Sequence, residues 1–203
     1  MNPAWRHTGR HAWIFDLDGT LTVAQHDFDA IRAALGIPPG RMILEFIAEQ
    51  SPPQRTRLHA HLNDMEIALA RKARPAAGAL TLLAGLKRQG CPIGILTRNN
   101  RRNALAALTA IGALDLFPDE FILGRDEVAP KPDPAGIVQL LTTWGCPAAA
   151  ATMVGDYRFD LEAGRKAGCY TVHVSAGRQE RWPAMTDLHL SNLHDLGRLA
   201  LHD

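Results

Sequence analysis

Three short apolar segments of this sequence each stop abruptly at polar residues. They are residues 12–15 before Asp16, residues 93–96 before Thr97, and residues 152–154 before Asp156. Apolar runs of this length that are bounded by turn residues are typical of buried β-strands. The pattern therefore predicts three buried strands whose ends carry polar side chains.

Helical periods separate these strands. Apolar residues recur at helical spacing within residues 80–86, 105–108, 137–144 and 161–167, and residues 121–123 and 170–174 are further strand candidates. Several predicted helices are followed by a glycine, which is the usual residue just past a helix C-terminus. Alternating strands and helices from residue 79 to residue 174 predict an α/β fold: a doubly wound, mainly parallel sheet with helices on both faces.

Residues 23–74 interrupt this alternation, because they show helical periods and no convincing strand. One period includes Phe28 and Leu35, a short apolar helix is predicted at residues 42–48, and a long helix is predicted to begin at Ser51, with Pro at its first position. We therefore predict a helical insertion at residues 23–74 within a core formed by residues 1–22 and 75–203. In the last part of the core, an edge strand is predicted at residues 188–190 and a helix from residue 193 onwards.

Charge and composition exclude several classes of function. Lys and Arg number 22 and Asp and Glu number 21, so the net charge of +1 favours neither a nucleic-acid nor a membrane partner. The first ten residues lack the apolar stretch of a signal peptide, and no run approaches the length of a membrane span. The three cysteines are far apart, which fits neither a disulfide framework nor a metal site. These features predict a cytoplasmic protein.

Carboxylates and other polar residues are expected to meet at one edge of the sheet, because parallel strands direct their carboxyl ends to the same crevice. The residues concerned are Asp16, Asp18, Thr97, Lys131, Asp156 and Asp160. Several carboxylates in one crevice repel each other unless a cation compensates their charge. An all-oxygen set of ligands favours a hard ion, so we predict a Mg²⁺ site.

Lys131 and Thr97 add the features of a phosphate site. Lys131 lies between prolines in a loop and would provide a fixed positive charge for phosphoryl oxygens, and Thr97 would provide a hydroxyl. Each residue also has a simpler interpretation. Thr97 could cap the following helix, Lys131 could be a solvated cation, and Asp160 could favour the N-terminus of a helix.

Four motifs in this order resemble those of the haloacid dehalogenase superfamily. They are residues 15–21 (FDLDGTL), residues 96–98 (LTR), Lys131 with Pro132, and residues 155–160 (GDYRFD). The sequence is similar to the phosphoglycolate-phosphatase-like members, and the resemblance implies that the insertion is a small helical cap over the active site. It also implies phosphate binding by Thr97 and Arg98.

The resemblance implies a two-step phosphatase mechanism. Asp16 would be the nucleophile that forms an aspartyl phosphate, and Asp18 would be the general acid and then the general base. Mg²⁺ would be bound by the Asp16 side chain, the backbone carbonyl of Asp18, and Asp156. Asp160 would support the metal through water or orient Lys131.

The expected activity is hydrolysis of a small phosphorylated metabolite by a Mg²⁺-dependent phosphomonoesterase. A phosphomutase of the same superfamily would keep both Asp16 and Asp18, and it is one alternative. A non-catalytic signalling domain that accepts a phosphoryl group on an aspartate is another. The sequence predicts neither the substrate's identity nor the oligomeric state.

Overall fold

The computed structural model of this protein describes residues 11–25 and 27–201. The parts of the predicted core at residues 1–10 and 202–203, and residue 26 of the predicted insertion, lie outside the described residues. Within them, the strands are Ala12–Phe15 (β1), Ile93–Leu96 (β2), Ile122–Leu123 (β3), Ala151–Gly155 (β4), Tyr170–Val174 (β5) and Leu188–Leu190 (β6). The α-helices are Phe28–Leu35 (α1), Ile43–Ala48 (α2), Pro52–Ala70 (α3), Ala79–Arg88 (α4), Arg101–Ala110 (α5), Ala135–Trp144 (α6), Arg158–Ala167 (α7) and Leu193–Ala200 (α8).

The strands form one six-stranded sheet in the order β3-β2-β1-β4-β5-β6. All neighbouring strands are parallel, and Trp13 of β1 lies opposite Ile93 on one side and Thr152 on the other. Every strand except the short β6 is almost entirely buried. Sheets covered on both faces need apolar side chains throughout, which explains the continuous apolar runs in the sequence. The predicted parallel α/β fold is confirmed.

Successive residues of β1 face two different apolar clusters. Trp13 and Phe15 pack with residues of α4, α5 and α8, whereas Ala12 and Ile14 pack with residues of α6 and α7. This alternation follows from the two-residue period of a strand. It places helices on both faces of the sheet, as predicted.

Helices α1, α2 and α3 form a third apolar cluster of their own. Its buried residues are Ile31, Leu35, Ile37, Ile47 and Leu62. The two chain segments that enter and leave these helices lie side by side. The Val23 amide donates a hydrogen bond to the Arg74 carbonyl at 2.9 Å, and Thr22 forms an isolated antiparallel β-bridge with Pro75. The residues 23–74 thus leave the core and return to it at one place.

Two details of the predicted helices differ from the structure. Helix α3 begins after Ser51 as predicted, but the Ser51 side chain makes no capping hydrogen bond. Phe28 is 54% exposed, although it shares a helical period with the buried Leu35. Helical spacing identifies a common face, but whether that face is covered depends on the neighbouring helices.

Candidate active site

The candidate site lies where the strand order reverses. Strands β1 and β4 are neighbours, and the chain continues from β1 to one side of the sheet and from β4 to the other. Asp16 directly follows β1, and Asp156 directly follows β4. Ligands bind in the crevice at such a switch point because the loops that follow the two strands separate there. The parallel pairing of β1 and β4 therefore explains why these two carboxylates meet.

Lys131 is buried between two carboxylates. Its Nζ lies 2.6 Å from Oδ1 of Asp16 and 2.6 Å from Oδ1 of Asp160. The side chain of Lys131 is only 1% exposed, so it is not a solvated loop cation. The other oxygen of Asp160 accepts a hydrogen bond from the Tyr157 amide at 3.0 Å. Asp160 therefore supports the start of α7 and orients Lys131 at the same time.

Asp156 has two partners in the crevice. Its Oδ1 accepts a hydrogen bond from the Thr20 hydroxyl at 3.4 Å, and its Oδ2 pairs with the Arg178 guanidinium. The Thr20 hydroxyl is also 3.3 Å from Oδ2 of Asp16. Thr20 thus connects the carboxylates that follow β1 and β4.

Burial and crowding raise the pKa values of all three buried carboxyls. Burial raises the pKa of Asp16 to about 6, with Lys131 partly offsetting this effect and Asp156 adding to it. Burial likewise raises the pKa of Asp160 to about 6, again partly offset by Lys131. The pKa of Asp156 is raised by burial and by Asp160, and Arg178 opposes the shift. Among the described residues, the three carboxylates share only two cationic partners, Lys131 and Arg178.

Lys131 itself stays charged. Burial alone would lower its pKa, but the attraction of the Asp16 and Asp160 carboxylates outweighs burial and raises the pKa above its usual value. A permanently charged ammonium next to Asp16 is suited to hold the oxygens of an incoming phosphoryl group.

The carboxylate cluster fits a hard divalent cation. Oxygen atoms of Asp16, Asp156 and Asp160 lie within 4.8 Å of one another in the described part of the chain. Carboxylate oxygens are the ligands that Mg²⁺ prefers, and a divalent charge would relieve the repulsion that raises the pKa values. The residues present are thus compatible with the predicted Mg²⁺.

Asp18 and Thr97 also line the crevice, on the side of β2. Oδ2 of Asp18 accepts a hydrogen bond from Nδ2 of Asn99 at 3.3 Å. The Thr97 hydroxyl is buried and accepts a hydrogen bond from the Asn99 amide at 3.0 Å. The residue that caps α5 is Asn100. The simpler interpretation of Thr97 as a helix cap is therefore wrong.

Arg98 lies at the border between the crevice and the insertion. Its guanidinium donates to the Lys131 carbonyl and forms an ion pair of 2.8 Å with Glu45 of α2. The guanidinium carbon also lies 4.6 Å from the centre of the Phe159 ring. In this arrangement Arg98 connects α2 with the loop that carries Lys131.

A cavity of about 350 Å³ opens above the carboxylates. Its walls include three arginines that sequence patterns did not single out as site residues, Arg32, Arg125 and Arg178, and apolar residues of the insertion. Arg125 pairs with Glu66 of α3 at 2.8 Å. Isolated arginines form no recognisable sequence motif, so only the folded structure shows that these three residues line the cavity.

Comparison with known proteins identifies the family. A family model described as haloacid dehalogenase-like hydrolase matches residues 22–174. The chain belongs to this family. It is 30% identical to a phosphoglycolate phosphatase of Neisseria gonorrhoeae, over 87% of this chain and 84% of that protein. It is also 30% identical to a haloacid dehalogenase-like hydrolase domain-containing protein of Arabidopsis thaliana, over 78% of this chain and 68% of that protein.

Two solved structures have the same fold as this chain. A hydrolase from Pseudomonas syringae superimposes with a TM-score of 0.78 at 23% identity, over 92% of this chain and 96% of that one. CbbY from Rhodobacter sphaeroides, solved in complex with phosphate, gives a TM-score of 0.73 at 23% identity, over 93% of this chain and 96% of that one. The predicted family, fold and enzyme class, a phosphatase-type hydrolase, are confirmed. Within the described residues, no helix has the length and apolar character of a membrane span.

Gly155 lets Asp160 approach the end of β4. A Cβ at position 155 would lie 2.2 Å from the Asp160 Cβ, so Gly155→Ala must displace Asp160 from Lys131. We expect this variant to lose about 1–3 kcal/mol of unfolding free energy and about 10-fold or more of the hydrolysis rate, because an orienting contact of Lys131 is lost. Urea unfolding and a phosphate-release assay measure the two effects.

Gly197→Ala is the matched control for this prediction. Gly197 lies inside α8, and a Cβ there would meet only Leu201, at an ordinary distance of 3.9 Å. We expect Gly197→Ala to leave the rate unchanged and to stabilise the protein by up to about 1 kcal/mol. Equal effects of the two variants would contradict the close-packing argument for Gly155.

Proposed function

We propose that this chain is a Mg²⁺-dependent phosphomonoesterase that hydrolyses a small organic phosphate through an aspartyl-phosphate intermediate. The observation that carries the proposal is the Asp16 carboxylate. It is buried at the floor of a cavity and held at 2.6 Å by a charged lysine. A carboxylate next to a fixed cation is suited to in-line attack on a phosphoryl group, because the ammonium holds phosphoryl oxygens without a later reorganisation.

In the first proposed step, an Asp16 oxygen forms a bond to phosphorus as the bond between phosphorus and the leaving oxygen breaks. Asp18 gives its proton to that oxygen, so the alcohol leaves neutral. In the second step, a water oxygen attacks the phosphorus of the aspartyl phosphate and its proton passes to Asp18. The bond to Asp16 breaks, and inorganic phosphate is released.

Lys131, Thr97 and backbone amides near the end of β1 would hold the phosphoryl oxygens. Asp160 would act as a positioning residue for Lys131, since both of its oxygens are engaged, one by Lys131 and one by the Tyr157 amide. We assign Arg98 to phosphate binding as well, which would require its guanidinium to leave Glu45.

Mg²⁺ would be held by Asp16, Asp156 and the backbone carbonyl of Asp18. When bound, it would neutralise the negative charge that accumulates during phosphoryl transfer. The ion pairs of the crevice support this assignment, because the carboxylates of Asp16, Asp156 and Asp160 outnumber their cationic partners in the described part of the chain, Lys131 and Arg178.

We propose that residues 23–74 are a cap that selects the leaving group. Residues from all three of its helices, Ile31 of α1, Ile43 of α2 and Leu62 of α3, line the cavity opposite the carboxylates. A cavity of about 350 Å³ suits a small organic phosphate. The cytoplasmic location predicted from the sequence stays a prediction.

Phosphate release from a panel of phosphorylated metabolites, with Mg²⁺ and with EDTA, tests the proposed function. The panel includes phosphoglycolate and an aryl phosphate. We expect turnover with Mg²⁺, a loss of about 100-fold or more in EDTA, and recovery on adding Mg²⁺, because Asp16 and Asp156 repel an incoming phosphate without the cation.

Three outcomes would contradict the proposed function. Phosphate release that is unaffected by EDTA would show that the reaction needs no metal ion. Isomerisation of a sugar phosphate without phosphate release would identify a phosphomutase. A long-lived phosphorylated chain that does not turn over would identify a signalling domain.

A further inference from the structure

A chain of buried polar side chains runs from α3 to Asp18. Oε2 of Glu66 accepts a hydrogen bond from Nδ2 of Asn103 at 3.3 Å. The same Nδ2 donates to Oδ1 of Asn99 at 2.9 Å, and Nδ2 of Asn99 donates to Oδ2 of Asp18 at 3.3 Å. Glu66, Asn99 and Asn103 are each less than one-tenth exposed. Helix α3 is thus connected to the proposed acid/base group through three buried side chains, and the last contact, with Asp18, lies at the cavity.

Neighbouring groups fix the orientation of both amides. Oδ1 of Asn99 accepts from the Asn100 amide at 2.9 Å and from Asn103, so Nδ2 of Asn99 must point towards Asp18. Asn103 faces two acceptors, Glu66 and Asn99, and only its NH₂ group satisfies both. Each amide is a donor on the side that faces Asp18.

Stability alone does not explain Asn103. Its Oδ1 is buried without a hydrogen-bond partner, although the residue is only 1% exposed. A buried acceptor without a partner destabilises the folded state, and an apolar side chain of similar shape would avoid this cost. The adjacent Asn100 differs, because its Oδ1 caps α5 by accepting the Asn103 amide at 2.8 Å.

The far end of the chain is anchored to the core. Arg125, which follows β3, forms hydrogen bonds to both oxygens of Glu66, at 3.1 and 2.8 Å. It also donates to Oδ1 of Asn63 at 2.6 Å. The side chains of Arg125 and Glu66 are both largely buried. A bidentate pair with this burial holds Glu66 in one place, and Glu66 in turn holds Asn103.

We infer that Asn99 is the positioning residue for the Asp18 carboxyl and that Asn103 and Glu66 hold Asn99 in place from α3. The inference rests on the proposed function, in which Asp18 moves the proton in both steps. A single hydrogen bond to Oδ2 limits rotation of the Asp18 carboxyl and leaves Oδ1 available for the leaving oxygen and later for water. Loss of Asn99 therefore impairs proton transfer and leaves the attack by Asp16 intact.

Two substrates with different leaving groups distinguish impaired proton transfer by Asp18 from impaired attack by Asp16. An alkyl phosphate needs a proton from Asp18 when its bond to phosphorus breaks, whereas dinitrophenolate leaves without one. Hydrolysis of the aspartyl phosphate needs Asp18 as a base in both cases. The probes are dinitrophenyl phosphate and the alkyl phosphate of the metabolite panel that the wild-type protein hydrolyses fastest.

Asn99→Leu is expected to lower the rate on the alkyl phosphate by about 10- to 100-fold, a part of what general acid catalysis contributes. With dinitrophenyl phosphate it should give a burst of dinitrophenolate close to the enzyme concentration, followed by a slow steady state. Asn103→Leu should also lower the rate on the alkyl phosphate and the steady-state rate on dinitrophenyl phosphate, by a smaller factor than Asn99→Leu. Asn99→Asp keeps the shape and the acceptor oxygen of Asn99 and replaces the NH₂ group that donates to Asp18 with an oxygen, so it serves as the test if Asn99→Leu does not fold.

Asn100→Asp is the matched control. Asn100 is also buried and donates to Asn63 of α3 at 2.8 Å, but its side chain has no contact with Asp18. An aspartate keeps the cap of α5 and loses the contact with α3. We expect its ratio of alkyl to dinitrophenyl rates to equal that of the wild-type protein.

A double-mutant cycle distinguishes positioning from a merely structural role. If Asn99 acts through Asp18, adding Asn99→Leu to Asp18→Asn causes no further loss. Additive losses, or equal losses on both substrates without a burst, would overturn the inference while the proposed function stands. A wild-type protein that hydrolyses neither probe would overturn the proposed function itself.

Discussion

Asp16→Asn is expected to abolish phosphate release. An amide has nearly the same shape as a carboxylate but is not a nucleophile, so the first covalent step cannot occur. We expect a loss of about 10⁴-fold or more, since covalent catalysis then contributes nothing. Phosphate release is measured with Mg²⁺, and mass spectrometry after acid quenching checks that no phosphoryl group is attached to the chain.

The fold is expected to tolerate this change. Burial raises the pKa of Asp16 from its usual 3.8 to about 6, so the ionised carboxylate destabilises the folded state at pH 7. A neutral amide removes that cost, and Lys131 keeps its ion pair with Asp160. In EDTA at pH 7, Asp16→Asn should therefore be at least as stable as the wild-type protein.

Asp115→Asn is the control for the removal of one negative charge, because Asp115 is exposed and does not line the cavity. It should hydrolyse substrates at the wild-type rate. Retained hydrolysis in Asp16→Asn would contradict the assignment of Asp16 as nucleophile, and a large loss of stability would contradict the electrostatic argument.

Asp18→Asn is expected to slow both chemical steps. The variant cannot donate a proton to the leaving oxygen and cannot accept one from water, so we expect a loss of about 10²- to 10⁴-fold on an alkyl phosphate. With dinitrophenyl phosphate the first step proceeds and the aspartyl phosphate accumulates. Acid quenching and mass spectrometry detect this intermediate.

Asp18→Asn should retain the affinity for Mg²⁺, because the proposed ligand is the backbone carbonyl of residue 18. Isothermal titration with Mg²⁺ measures that affinity. An unchanged rate on the alkyl phosphate together with no accumulated intermediate would show that Asp18 is not the acid/base group.

The central part of the site could be predicted from the sequence because it depends on strand ends. Asp16 and Asp156 follow apolar runs, and parallel strands bring such positions to one edge regardless of the loops between them. The strands and the helices that follow them were predicted for the same reason: a buried element needs apolar side chains at a regular period.

The polar contacts between α3 and the core could not be predicted in this way. Glu66 and Asn63 are polar residues of α3 whose type gives no sequence signal for burial, but Glu66 is buried against Arg125 and Asn103. A buried face composed of polar pairs leaves no apolar stripe in the sequence. Its recognition requires the relative position of elements that are distant along the chain.

The adjacent ends of the helical insertion have a consequence for evolution. The Val23 amide is bonded to the Arg74 carbonyl, so the core spans the same short gap whatever lies between these residues. The entropy of closing a loop grows only slowly with its length. Longer or shorter inserts can therefore replace these helices at little cost to the sheet, and under the proposed function substrate preference can diverge while the proposed phosphoryl-transfer residues remain unchanged.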